Sequence, residues 1–117
     1  MDKYKKVKKD RYQSFLFTLK QCGKFLVNAT NEEIERHIFE EFDILARTYL
    51  SDELLEMFLE EGWIDDSILE KCKLLRDLFI DIQPHYPELW NVYSVRKERK
   101  WEKILNLADE IKALLYY

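Results

Sequence analysis

The chain has 117 residues, of which 47% are hydrophobic, 15% aromatic and 36% charged, with a formal net charge of −4. That length suits one domain with its own core, which excludes a second domain, and the apolar content excludes a disordered chain. Only two Gly and two Pro occur, too few turn formers for a many-stranded β fold, so the expected class is all-α: a single-domain bundle of about five helices.

Residues 1–10 carry Lys3, Lys5, Lys6, Lys8 and Lys9 and are expected to form a flexible basic arm. From about Asp10 to Val27, Tyr12, Phe15, Leu16, Leu19, Cys22 and Leu26 recur at helical spacing, a stripe that Gly23 weakens only slightly. A strand over Phe15 to Leu19 is the competing reading, but the stripe is too long for one strand. Thr30-Asn31-Glu32-Glu33 is a capping box, in which the Thr hydroxyl and the Glu carboxylate satisfy backbone donors at a helix start. Ile34, Ile38, Phe42, Leu45 and Tyr49 follow at three- and four-residue steps, with Phe39 and Ala46 beside them, Glu33, His37, Glu40 and Arg47 opposite and Ile44 on the polar side.

Ser51 caps a third helix with Asp52 and Glu53 in its first turn, the sign that suits the positive end of the helix dipole, and Gly62 ends it. Leu54, Leu55, Phe58 and Leu59 are its buried side, and Glu53, Glu56 and Glu60 stack into an acidic ridge. Asp65 or Asp66 opens a fourth, central helix through Ile68, Leu69, Cys72, Leu75, Phe79 and Ile82, expected to stop before Pro84. A connection over His85 to Ser94 then leads to a last helix from Ser94 or Val95, with Trp101, Ile104, Leu105, Ala108, Ile111 and Leu115 inward. Its first turns carry Arg96, Lys97, Arg99, Lys100 and Lys103, which oppose the dipole and are expected to pair with the acidic middle of the fold. Leu114 to Tyr117 is expected to pack.

The modest net charge conceals a polarity along the chain. Counting Lys and Arg against Asp and Glu gives +4 for residues 1–11, +2 for 12–30, −12 for 31–70 and +2 for 71–117. In the middle segment fourteen acids face only Arg36 and Arg47. Such a field attracts a basic partner and repels nucleic acid, and the same acids also serve simply as a solvated face. Cys22 and Cys72 are read as reduced core residues, and with no small-residue cleavage site and no membrane span the expectation is a soluble, cytoplasmic protein.

No familiar catalytic signature occurs, so the expectation is a binding protein rather than an enzyme, with no cofactor and no metal. Glu33, His37 and Glu41 share a helical face at four-residue steps, the one spacing a metal would use. A carboxylate-bridged di-iron site needs Glu-x-x-His, and the residues three before His37 and His85 are Ile34 and Ile82, which cannot ligate. The basic arm, with Tyr4 and Tyr12 interleaved, would touch phosphates, but the acidic body and the lack of a glycine-marked helix-turn-helix do not favour nucleic acid as partner.

Leu89-Trp90-Asn91-Val92 followed by Trp101-Glu102-Lys103-Ile104-Leu105-Asn106-Leu107-Ala108-Asp109-Glu110-Ile111 resembles the C-terminal stretch of small helical immunity proteins of bacterial polymorphic-toxin and contact-dependent growth inhibition systems. The resemblance covers about a quarter of the chain. It implies a non-catalytic cytoplasmic protein that binds a cognate toxin domain, often a basic nuclease, and blocks it. Such families share no motif whose roles carry over residue by residue. The charge pattern places the expected interface on Glu33, Glu40, Glu53, Glu56, Glu60, Glu61, Asp65 and Asp66, with Trp63 either an aromatic anchor or a ring folded back over the core. The alternatives are a helical regulator that binds nucleic acid through its basic residues and a phage-encoded inhibitor of a host nuclease.

Overall fold

Local signals place most helix starts where the sequence puts them. The computed structural model describes residues 2–116 and contains, in order, α1 (Asp2–Lys20), a 3-10 turn (Lys24–Asn28), α2 (Asn31–Ile34), a π-helical segment (Glu35–Phe42), α3 (Asp43–Tyr49), α4 (Asp52–Glu60), α5 (Asp66–His85), a 3-10 turn (Pro87–Leu89), α6 (Val92–Lys97) and α7 (Arg99–Leu115). There is no strand among the described residues, and none of their helices is long and apolar enough to cross a membrane. Thr30, Ser51 and Asp65 cap as expected, accepting from the backbone N–H of Glu33, Leu54 and Ile68. Gly62 ends α4 with φ 76°, the left-handed conformation that glycine adopts without a steric penalty.

One core cluster runs through the bundle, and α5 packs along α7 at its centre. Phe39, Phe42, Phe79, Trp90 and Trp101 form a chain of rings with centroids 4.8–6.1 Å apart, mostly edge to face, the geometry that the ring quadrupole favours. The Trp101 indole Nε1 donates to the Leu89 carbonyl at 2.7 Å, which satisfies its one polar group inside the core.

Several expectations are corrected. Where a flexible arm was expected, residues 2–10 continue α1; Met1 lies outside the described residues. The first helix does not run to Val27: it ends at Lys20, and Cys22 and Leu26 reach the core from a turn instead. α5 passes through Pro84 to His85. The proline sits in the last turn and is exposed, so its missing N–H costs a single bond on the solvent side. The last helix is two, broken at Glu98, whose φ of −83° and ψ of 139° are extended, and Asn91 rather than Ser94 caps the first of them, its Oδ1 accepting from the Ser94 N–H at 2.9 Å. Leu115 packs on the core while Leu114 and Tyr116 are exposed, and Tyr117 lies outside the described residues.

The basic group at 96–103 makes no ion pair among the described residues. Arg96 instead donates to the Asn31 Oδ1 at 2.6 Å and the Ala29 carbonyl at 2.7 Å, tying α6 to the start of α2. Lys100 lies 4.1 Å from the centre of the Tyr86 ring.

Arg76 of α5 staples the end of α3 to α4. It donates to the Leu50 carbonyl at 3.0 Å, to Asp52 at 2.6 Å and to Asp77 at 2.9 Å. The hydrogen bond from Arg76, and then its charge, hold the Asp52 carboxyl below the usual aspartate range. A carboxyl with a depressed native pKa contributes stability above its unfolded value of about 3.9, and loses it as pH falls through the native value. Arg76→Met is therefore expected to destabilise at neutral pH, and the gap to wild type should narrow as urea midpoints are followed from pH 7 down to pH 2. A gap that stays constant across that range would remove Asp52 from the account.

Candidate functional site

The acidic residues sit on two stretches that the fold treats differently. Residues 31–49 form one continuous rod whose buried positions, Ile34, Ile38, Phe42, Ala46 and Leu50, fall strictly every four residues. In an α-helix each such step turns the side chain about 40° too far, so five positions would sweep about 160° around the axis. The π-helical segment Glu35–Phe42, with its i→i+5 bonds and wider turn, takes up that drift and holds the stripe on the core. This explains why burial centres on Ala46, expected beside the stripe, and on Leu50, while Leu45 and Tyr49, expected within it, are half-buried. Ile44 is 67% exposed, as its place on the polar side implied.

The outward side of this rod carries Glu32, Glu33, Glu35, Glu40 and Glu41, all exposed and none in an ion pair among the described residues. Asn31, Glu32, Glu35 and Glu40 line an open cleft of about 400 Å³. The Glu33 carboxylate accepts from the Thr30 hydroxyl at 3.2 Å, a variant of the capping box in which the Glu holds the hydroxyl rather than a backbone donor.

The second stretch, α4 and the turn after it, is partly neutralised. Glu56 pairs with Lys73 at 3.2 Å, Glu61 with Lys8 at 3.3 Å and Asp52 with Arg76 at 2.6 Å. Glu53, Glu60 and Asp66 are exposed and have no ion-pair partner among the described residues. The Asp65 Oδ1 is committed to the Ile68 N–H at 2.9 Å. Trp63 is half-buried, its ring centroid 5.1 Å from that of Tyr12 and 6.3 Å from that of Phe58, and its carbonyl accepts from the Tyr12 hydroxyl at 3.4 Å. The fold thus uses Trp63 to seat α1.

Of the fourteen acids in residues 31–70, Asp43, Asp52, Glu56 and Glu61 are in ion pairs and the other ten are not, among the described residues. Sequence reasoning missed Glu32 and Glu35, which the start of the rod places beside Glu40. Their three-residue spacing was the available signal. It also missed Lys8, Lys73 and Arg76 as neutralising partners, because those residues lie 17 to 53 positions away from the acids they meet.

Cys22 and Cys72 are buried, and burial pushes both thiols up to about 12, so they stay protonated. His37 Nδ1 lies 2.7 Å from the Gln21 Oε1 and its Nε2 3.2 Å from the Arg36 guanidinium. The tautomer that satisfies both has Nδ1–H donating and Nε2 accepting, which leaves no lone pair for a metal. Burial, and then the Arg36 charge, lower the His37 pKa, in keeping with that neutral form. No group of three or more His, Cys, Asp or Glu among the described residues is placed to hold a metal ion. Comparison of the chain with family models, with curated proteins and with solved structures finds no match in any of the three.

Proposed function

We propose that this chain is a cytoplasmic, non-catalytic immunity protein that binds a cognate toxin domain, a basic nuclease, and neutralises it through its acidic helical surface. The supporting observation is the acidic excess on residues 31–49, where the exposed glutamates have only Arg36 among them and Arg47 is taken up by Asp43. Five exposed carboxylates crowd one side of a rod that the core holds rigid, and Glu32, Glu35 and Glu40 converge on one open cleft. Like charges at this spacing repel one another, and a partner's Lys and Arg side chains relieve that repulsion as they dock. A nuclease presents such groups because it must hold phosphate, and long-range attraction raises the rate of encounter. The resemblance of the Trp90 and Trp101 stretch to immunity proteins points to the same class.

The test is pull-down of the product of the neighbouring gene with wild-type chain and with two triple variants: Glu32, Glu35 and Glu40 to Lys, and Glu53, Glu56 and Glu60 to Lys. Capture of a basic protein that weakens with salt is expected, with the first variant losing at least 100-fold in affinity. That loss corresponds to about 3 kcal/mol, within the range for charges buried at an interface. The second variant should lose less, because Glu56 is already neutralised inside the fold. A complex that survives both reversals at high salt would overturn the acidic interface.

A further inference from the structure

The basic segment at the start of α1 is helical, and it projects. From Lys3 to Arg11 every residue is exposed except Lys8, and the first fully buried side chain of α1 is Phe15. Lys8 reaches back to Glu61 at 3.3 Å and marks the side that faces the body. Lys3, Lys5, Lys6, Lys9 and Arg11 have no ion-pair partner among the described residues. At about 100° per residue they cover roughly 240° of the helix circumference, and the gap is the side occupied by Lys8.

This distribution discriminates between partners. A protein surface or a bilayer engages one face of a helix, and a membrane-surface helix needs an apolar stripe. Here the exposed apolar side chains of the spur are only Tyr4 and Val7. Cations over two-thirds of the circumference instead suit a groove with phosphates on both walls. The B-form major groove, about 12 Å wide, admits an α-helix, whereas the deep, narrow major groove of A-form RNA does not.

The placement is also unfavourable in the protein alone. Positive charges oppose the dipole at a helix N-terminus, and Lys3 and Lys6, Lys5 and Lys9, and Lys6 and Lys9 repel at three- and four-residue spacing. A polyanion removes both penalties. Among the described residues the acidic middle segment forms an ion pair with the spur only at Lys8, and Lys3, Lys5 and Lys6 stand further out along the helix.

We propose that the N-terminal half of α1 is a second binding surface, a spur that lies in the major groove of duplex DNA and contacts its phosphates without reading sequence. The experiment is fluorescence anisotropy of a labelled DNA duplex titrated with the full chain between 50 and 200 mM salt, alone and with no toxin present, so its outcome is independent of the immunity reading. Five phosphate contacts give a slope of log affinity against log salt of about −4.5, a weakening of about 500-fold across that range. The variant with Lys3, Lys5, Lys6, Lys9 and Arg11 all changed to Gln alters only exposed positions and removes charges that repel one another, so its thermal midpoint should not fall below wild type while its affinity falls at least tenfold and its salt slope flattens. Absence of binding at 50 mM salt, a variant that binds as well as wild type, equal affinity for an RNA duplex of the same length, or tighter binding to phosphatidylserine vesicles would each overturn the proposal.

Discussion

Replacing Trp101 with Ala should cost about 3–5 kcal/mol, the range for deleting a large aromatic from a packed core. The ring is fully buried and is the largest side chain in that state. It lies 5.9 Å from Phe79, 6.0 Å from Phe39 and 6.1 Å from Trp90, so it joins the long α5–α7 contact to the π-helical segment and to the connection before α6. Ala would leave a cavity lined by three rings that are held by other contacts and cannot collapse into it. It would also remove the indole N–H from the Leu89 carbonyl, which keeps its bond from the Asn91 N–H at 3.0 Å. Against a total stability of about 5–15 kcal/mol for a domain, that is about a fifth or more of the whole. Trp101→Phe separates the two contributions: most of the ring burial is kept and the N–H is lost, so a drop of about 1–2 kcal/mol is expected. Urea unfolding at pH 7, with an unchanged denaturant slope, measures both. A loss below about 1 kcal/mol for the Ala variant would mean that the aromatic chain is not the centre of the core.

Gly23→Ala is the second large effect, and it acts through hydrogen bonds rather than backbone strain. The Gly23 φ of 169° is extended and open to any residue. An added Cβ, however, would lie 2.4 Å from the Asp109 Oδ1 and 2.8 Å from the Lys112 Nζ. Both are ends of flexible side chains and can swing away, but both are in use. The other Asp109 oxygen accepts from the Lys24 N–H at 3.0 Å, and Lys112 donates to the carbonyl of buried Cys22 at 2.6 Å. Losing two charge-assisted bonds, one of them partly exposed, should cost about 2–3 kcal/mol by urea unfolding. Lys112→Met removes one of them without crowding, so it should cost less. An Ala variant as stable as wild type would show that the two side chains find equivalent partners once displaced.

These two sites also mark where sequence reading reaches its limit. The helix starts at Thr30, Ser51 and Asp65 were legible because a cap is a contract between residues three apart. The stop at Gly62 was legible for the same reason. The end of α1 was not: the helix stops at Lys20, and the turn beyond it is held by the Asp109 carboxylate, which accepts from the Lys24 N–H 85 positions away. The stripe on residues 31–49 was read at period 3.6 with Ala46 at its side, and the π-helical segment shifted full burial from Leu45 and Tyr49 to Ala46 and Leu50. In the candidate site the acidic excess was plain in the composition. Which carboxylates are neutralised was not, because Lys8, Lys73 and Arg76 reach them only through the tertiary fold.

The clasp between Cys22–Lys24 and Asp109–Lys112 sets an order of events during synthesis. The two halves of the Lys112–Cys22 bond are 90 residues apart, and at about 5–20 residues per second α7 emerges roughly 5–18 s after the turn it must close. Throughout that interval the contacts that α7 makes with α1 and with the turn carrying Leu26 are missing, and α1 rests on the earlier-made π-helical segment and α3.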